Sequence, residues 1–213
     1  THARRLDLAA YRQRVTRPST GRVLNIAIIG AGIAGLGAAR SLQDQGHCVT
    51  VFEKSRGVGG RAATRRIGDL SFDHGAQYFT ARDTRFRPVV DAWREQGLVA
   101  PWKGRLGRVG EGGIEPASDR QARFVGVPGM SEIGRHLGTD LDVRKQTLVT
   151  ALHYREGLWR LQSEAGDPLG DFDAVVVALP APQAQVLLAA AAPHLARQAA
   201  SVDYSPAWAV MLR

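Results

Sequence analysis

Apolar residues along this 213-residue chain gather in separate runs whose spacing differs from one run to the next. "RVLNIAIIGAG" is a short unbroken run ending in glycines, the pattern of a buried parallel strand. From Ile33 to Gln45, "IAGLGAARSLQDQ" sets apolar and small residues at helical spacing and stops at Gly46. "HCVTVFEKS" reads as a second strand ending on Glu53. Strand, glycine turn, helix and strand within about thirty residues make one βαβ unit. Further along, "LVTALHYREGLWRLQ" alternates as a hairpin does, and "DFDAVVVALP" returns to a buried β pattern halted by Pro180 and Pro182. Residues 81–138, rich in Gly, Arg and Trp, carry one helical pattern around "FRPVVDAWREQG". The Ala-rich "LLAAAAPHLARQAA" predicts a surface helix, and "SPAWAVMLR" the start of a further strand.

The expected fold is therefore α/β. A Rossmann-like dinucleotide-binding domain occupies 24–80 and 139–200, with an inserted α+β region at 81–138 and 201–213 and a mobile basic tail at 1–23. Hydrophobic residues make up 44% and charged residues 23%, which suits a packed globular chain. The formal charge of +8 suggests nucleic acid until it is located. Residues 1–23 hold six arginines and one acid, which leaves +3 for the remainder, an ordinary solvated surface. No nucleic-acid partner is expected. The tail lacks the continuous apolar stretch of a secretory signal; its Arg-rich, acid-poor composition is also that of a mitochondrial transit segment, and "RPSTG" reads as a linker. No run reaches the ~18 apolar residues that span a bilayer, so no membrane partner is expected either. The single cysteine, Cys48, rules out an internal disulfide and a Cys-based zinc site and fits a cytoplasmic setting. At the head of an apolar strand it is expected to be a buried, inert thiol.

Gly30, Gly32 and Gly35 form G-x-G-x-x-G at the strand–helix junction. The first permits a tight turn, the second lets backbone approach a pyrophosphate, and the third lets helix pack closely on strand. Ile33 and Ala34 open the helix, whose free N–H groups and dipole favour phosphate. Glu53, with Lys54 after it, closes the next strand where a carboxylate accepts hydrogen bonds from ribose hydroxyls and repels a 2′-phosphate. A second glycine pair, Gly59 and Gly60, precedes Arg61. An NAD domain has no need of it, whereas FAD does, because its diphosphate passes this loop and Arg61 can meet it with a fork of donors.

With those motifs in place, "GAGIAGLGAA…VFEKSRGVGGR" resembles the FAD-binding signature of amine-oxidase-type flavoproteins, and "FDHGAQYFTARD" narrows the resemblance to renalase-like proteins. "VGVPGMSEIGRHL", "VVVALPAPQ" and "DYSPAWAVML" extend it in order over residues 24–213. The resemblance implies that Gly75 and Ala76 are small because the flavin lies against them. It also implies that Gln77, Tyr78, Ala34 and Arg61 contact the cofactor, that the Val149 backbone meets adenine, and that Ala178 and Pro180 pack beside it. Asp73 reads as a structural acid and His74 as a satisfied histidine. The residues show no nucleophile–base pair, paired carboxylates or metal cluster, which fits an enzyme whose FAD carries the chemistry. The family implies oxidation of dihydronicotinamide isomers of NAD(P)H by oxygen, with amine oxidation as the alternative. Family members continue past the position of Arg213 with the rest of a substrate-domain sheet. The inserted domain is on that reading incomplete, and the chain is expected to be a non-catalytic dinucleotide-binding fragment or to hold FAD weakly.

Overall fold

The computed structural model describes residues 21–104, 107–116 and 121–211. The tail expectation falls mostly on residues outside that range, although Arg22 is fixed by an ion pair with Asp173 at 2.7 Å. The parallel sheet forms from β1 (Asn25–Ile29) and β2 (Cys48–Phe52), joined by helix α1 (Ile33–Asp44). The strands β3 (Arg65–Ile67) and β4 (Leu70–Phe72) make a small exposed hairpin. An inserted region follows, with α2 (Arg87–Glu95), β5 (Val99–Pro101), β6 (Gly107–Gly110), β7 (Gly113–Pro116) and β8 (Phe124–Gly126). Helix α3 (Ser131–Leu137) leads back to β9 (Asp142–Arg144). A meander of β10 (Val149–Arg155), β11 (Leu158–Ser163) and β12 (Pro168–Phe172) precedes β13 (Ala174–Val177), α4 (Ala181–Leu188) and α5 (Pro193–Ala200).

Four parallel strands stand in the order β13-β1-β2-β9, with Ile28 opposite Val51 on one side and Val176 on the other. Ile26 to Ile29 are buried without alternation because both faces of the sheet are covered. On one face Ile28, Val49 and Val51 pack with Leu36 and Ala39 of α1. On the other, Ala27, Ile29 and Phe52 meet Leu152, Leu161 and Phe172 of the meander, which in turn lies under Leu187 and Leu188 of α4. The Phe52 and Phe172 rings meet edge to face at 5.8 Å between centroids. The result is a Rossmann-like domain with an extra strand-rich region inserted between β2 and β9, the α/β architecture read from the sequence. A separate small core of Val90, Trp93, Val99, Met130 and Ile133 holds the inserted region together, and Leu137 of α3 joins it to the core under α1.

Three local expectations fail. Cys48 is exposed, because it opens β2 at the rim and only the following four residues face packed layers. The Ala-rich segment is two helices, broken over Ala189–Ala192 before Pro193, whose ring cannot continue a helix from the preceding turn. Both helices lie at the surface as expected, with Leu187, Leu188, Ala192 and Ala196 forming their buried inner face. The expected strand at "SPAWAVMLR" does not form among its described residues, and Trp208 is 97% exposed. The hairpin at "LVTALHYREGLWRLQ" does form, turning on Glu156 and Gly157, both with positive φ as a tight two-residue turn requires. Among the described residues no helix is long and apolar enough to cross a membrane.

Two glycines of α1 test this packing. A Cβ on Gly35 would overlap the Gly30 carbonyl oxygen and stand 3.2 Å from the Ala178 Cβ, whereas one on Gly37 meets nothing within 4 Å. Gly35→Ala is expected to destabilise by at least about 1–3 kcal/mol through overpacking. Gly37→Ala should stabilise by roughly 0.5–1 kcal/mol by removing helix-interior flexibility. Thermal melts of both variants check the pair; equal shifts would contradict the close helix–strand contact.

Candidate functional site

Strand order reverses about β1, and the crevice outside the carboxyl ends of the strands at such a point, here β1 and β13, is the usual ligand position in an open parallel sheet. Gly30 turns the chain there with φ +104°, and its N–H donates to the Phe52 carbonyl at 2.8 Å. Gly32 is the N-cap of α1; no side chain caps the helix and no acid lies in its first turn. Nothing would meet a Cβ on Gly32 within 4 Å, and Ile33 and Ala34 are exposed. The helix thus turns an uncapped N-terminus toward open space, the arrangement that receives phosphate.

Glu53 is buried beside this turn at 7% exposure. Its Oε2 accepts from the Ala31 N–H and its Oε1 from the Ser55 N–H, each at 2.8 Å. The sequence requirement that Glu53 stand next to the Gly30 turn is met, and the carboxylate has a further task, tying the turn to the end of β2. The Thr147 N–H donates to the Glu53 carbonyl and the Gln146 N–H to that of Ser55, which brings the strand entrance before Val149 alongside. Val149 itself is 5% exposed, with its side chain in the core under the meander.

The second glycine pair lies directly on the first loop. The Gly59 N–H donates to the Ala31 carbonyl at 2.8 Å, Gly32 and Gly59 bridge in parallel, and a Cβ on Gly60 would stand 3.0 Å from the Gly32 Cα. Both glycines have positive φ, +105° and +56°. A short 3-10 turn, Gly60–Ala62, then exposes the Arg61 side chain, with Lys54, Arg56, Arg65 and Arg66 also exposed nearby in sequence. Helix α3 backs the loop so closely that a Cβ on Gly134 would stand 2.7 Å from the Gly59 Cα. Ala178 closes the other side: its N–H donates to Ile29, and its carbonyl oxygen would be 2.7 Å from a Cβ on Gly30. Pro180, two residues on, is the N-cap of α4.

The "FDHGAQYFTARD" stretch is fixed to the same place by its backbone. The Ala76 N–H donates to the Arg61 carbonyl at 2.8 Å, and a Cβ on Gly75 would overlap that same oxygen. Gly75 is thus required by the Arg61 backbone, a constraint the sequence reading assigned to a flavin. Asp73 behaves as a structural acid: its Oδ1 accepts from the Thr64 hydroxyl at 2.6 Å and the Met130 N–H at 3.0 Å. Gln77 is exposed, while the Tyr78 ring stacks on Trp102 at 5.2 Å with the Arg123 guanidinium over it at 5.2 Å. Trp102, Arg123 and Thr64 escaped the sequence reading because their partners lie far away in the chain. At the end of the stretch, hydrogen bonds from the Arg85 side chain and then its backbone N–H lower the Asp83 carboxyl to about 2. His74 is exposed, and among the described residues no group of three or more His, Cys, Asp or Glu is placed to hold a metal.

Fold and site together define a Rossmann-like dinucleotide-binding domain. A family model described as an NAD(P)-binding Rossmann-like domain matches residues 28–93. Over 67 residues the chain is 43% identical to the "Putative flavin-containing monoamine oxidase" of Mycobacterium tuberculosis, which covers 30% of this chain and 15% of that protein. Among solved structures, putrescine oxidase bound to putrescine superposes with a TM-score of 0.60 at 14% identity, covering 78% of this chain and 60% of that one. The "Putative protoporphyrinogen oxidase" of Exiguobacterium gives 0.63 at 16% identity, with 82% and 63% covered. At such identities the structural matches show the fold alone. The chain spans under two thirds of each relative's length. A 67-residue segment of the chain is nevertheless similar to part of the named monoamine oxidase.

Glu53→Gln tests the tie between turn and strand. The amide would present an NH2 to one of two backbone donors and leave it buried without an acceptor, which costs about 1–3 kcal/mol. A denaturant midpoint well below that of the exposed control Lys54→Ala is expected. Equal midpoints would show that the loop stands without the carboxylate.

Proposed function

We propose that the chain binds FAD across its two glycine loops and serves a flavin-dependent oxidoreductase, with a small-molecule amine as the better supported substrate class. The observation that carries this is the backbone contact of Gly32 with Gly59 and Gly60 beside an uncapped helix N-terminus. The residues present fit the diphosphate end of such a cofactor. N–H groups at Gly32, Ile33 and Ala34 would meet one phosphate and the exposed Arg61 the other. Glu53 keeps lone pairs beyond its two backbone donors for ribose hydroxyls, Lys54 adds positive charge at the rim, and Val149 offers backbone toward adenine. Gly35, Gly60, Ala178 and Pro180 shape the walls. Gly75, Ala76, Gln77 and Tyr78 would flank the ring system. FAD, when bound, supplies the hydride acceptor, and the protein supplies orientation and a shaped environment.

In this proposal 24–80 and 139–200 serve the cofactor, and 81–138 with 201–213 face the substrate. The exposed thiol of Cys48 fits a reducing, cytoplasmic setting. Support for an amine comes from the names of the similar proteins, a monoamine oxidase and a putrescine oxidase. Dihydronicotinamide oxidation rests on the resemblance of "FDHGAQYFTARD", a stretch whose Gly75 already has a structural reason to be glycine.

Titrating FAD into the purified chain and following flavin fluorescence tests the reading. One-to-one saturation is expected, and Arg61→Ala should lose about 1.5–3 kcal/mol, roughly ten- to a hundredfold in Kd. Arg61→Lys should recover part, since the charge remains while the fork is lost. No saturation by FAD, or equal affinity in Arg61→Ala, would contradict it. Peroxide formation with amines but not with dihydronicotinamide isomers would support the amine; the reverse pattern would restore the other substrate.

A further inference from the structure

The segment after α5 lies outside the packed cores, yet Tyr204 within it makes two contacts at the crevice. The Ala181 N–H, in the first turn of α4, donates to the Tyr204 hydroxyl at 3.3 Å. The Arg61 guanidinium carbon lies 5.9 Å from the centroid of the Tyr204 ring. One side chain thus links the Arg61 turn to the β13–α4 connection, the two loops that bound the crevice on either side of the Gly30 turn.

We infer that Tyr204 is a positioning residue for Arg61: the guanidinium stands over its ring, which limits where the side chain swings and keeps it directed toward a diphosphate. The physical basis is the shape of the group. A guanidinium stacks through its flat face and hydrogen-bonds through its rim, so an aromatic ring and a diphosphate can engage it together. Arg61 is exposed on a two-glycine turn, and a long free side chain loses rotamer entropy when it captures a ligand. A ring already within cation–π reach of it lowers that cost. The Tyr204 hydroxyl holds the ring through Ala181, and Tyr204 stays 46% exposed, so the contact is not enforced by core packing.

The inference rests on the proposed cofactor reading, and a double-mutant cycle on FAD affinity in the full chain separates the two. Tyr204→Leu should weaken FAD binding about two- to fivefold, the size of an exposed cation–π contact. Tyr204→Phe, which keeps the ring but loses the hydroxyl that holds it at Ala181, should fall between wild type and Tyr204→Leu. Tyr204→Gln serves as a second ring-less variant should the leucine disturb folding. Most tellingly, Arg61→Ala with Tyr204→Leu should bind no more weakly than Arg61→Ala alone, because Tyr204 acts through Arg61. Additive losses would overturn the inference by showing that Tyr204 acts elsewhere. Unchanged or tighter binding in Tyr204→Leu would overturn it too, and tighter binding would mean that the ring competes with the ligand. Wild-type chain that takes no FAD would instead bring down the cofactor reading, and this inference with it.

Discussion

The site depends on one constraint, the contact of bare backbone with bare backbone where the two glycine loops meet. Gly32 and Gly59 bridge, Gly60 lies against Gly32, and Gly35 sits on the Gly30 carbonyl, so the loops and the helix start form one layer without side chains between them. Only glycine allows this at Gly30 and Gly60, where close approach coincides with positive φ, while Gly59 is required by its positive φ alone. Everything else at the crevice is arranged around that layer. Glu53 ties it to β2, Ala178 closes it on the β13 side, and α3 backs it through Gly134.

A layer of this kind has a chemical consequence. It leaves the start of α1 without a capping side chain or an acid in its first turn, with the exposed Arg61 on the adjoining turn. A helix terminus in that state is stabilised by an anion, and the parallel sheet supplies the crevice in which one can be held. The inserted region supports the neighbouring stretch by packing and hydrogen bonds. Its Trp102 fixes Tyr78 by stacking, and Met130 and Ser131 anchor the Thr64–Asp73 pair beneath the "FDHGAQYFTARD" stretch. Rigidity along that stretch thus comes from hydrogen bonds and ring contacts rather than from strands.

What the sequence disclosed followed the range of the interactions involved. The glycine turn, the helix after it and the hairpin at Glu156–Gly157 were legible because their causes lie within a few residues. Gly59 and Gly60 were recognised, but their nearest reason, contact with Gly32, joins positions almost thirty residues apart and could not be seen as such. Gly75 shows the same limit: its small size points to a close neighbour, and only the fold identifies that neighbour as the Arg61 carbonyl. Cys48 was misplaced because a strand pattern does not say where the covering layers begin. The Ala-rich run was misjudged because helix propensity outweighed the single Pro193. Tyr204 and Trp102 had no local signal at all, since each is defined by its partner.

The central claim is that the uncapped start of α1 and the glycine pair lying on it form a diphosphate cradle. Amide-resolved NMR of the labelled chain during titration with FAD addresses it most directly. Saturable shifts are expected to concentrate at the amides of Gly32, Ile33, Ala34 and Gly60. Smaller changes are expected at Ala31, whose N–H is already held by Glu53. Shifts confined to the inserted region, with those four amides unmoved at saturation, would contradict it.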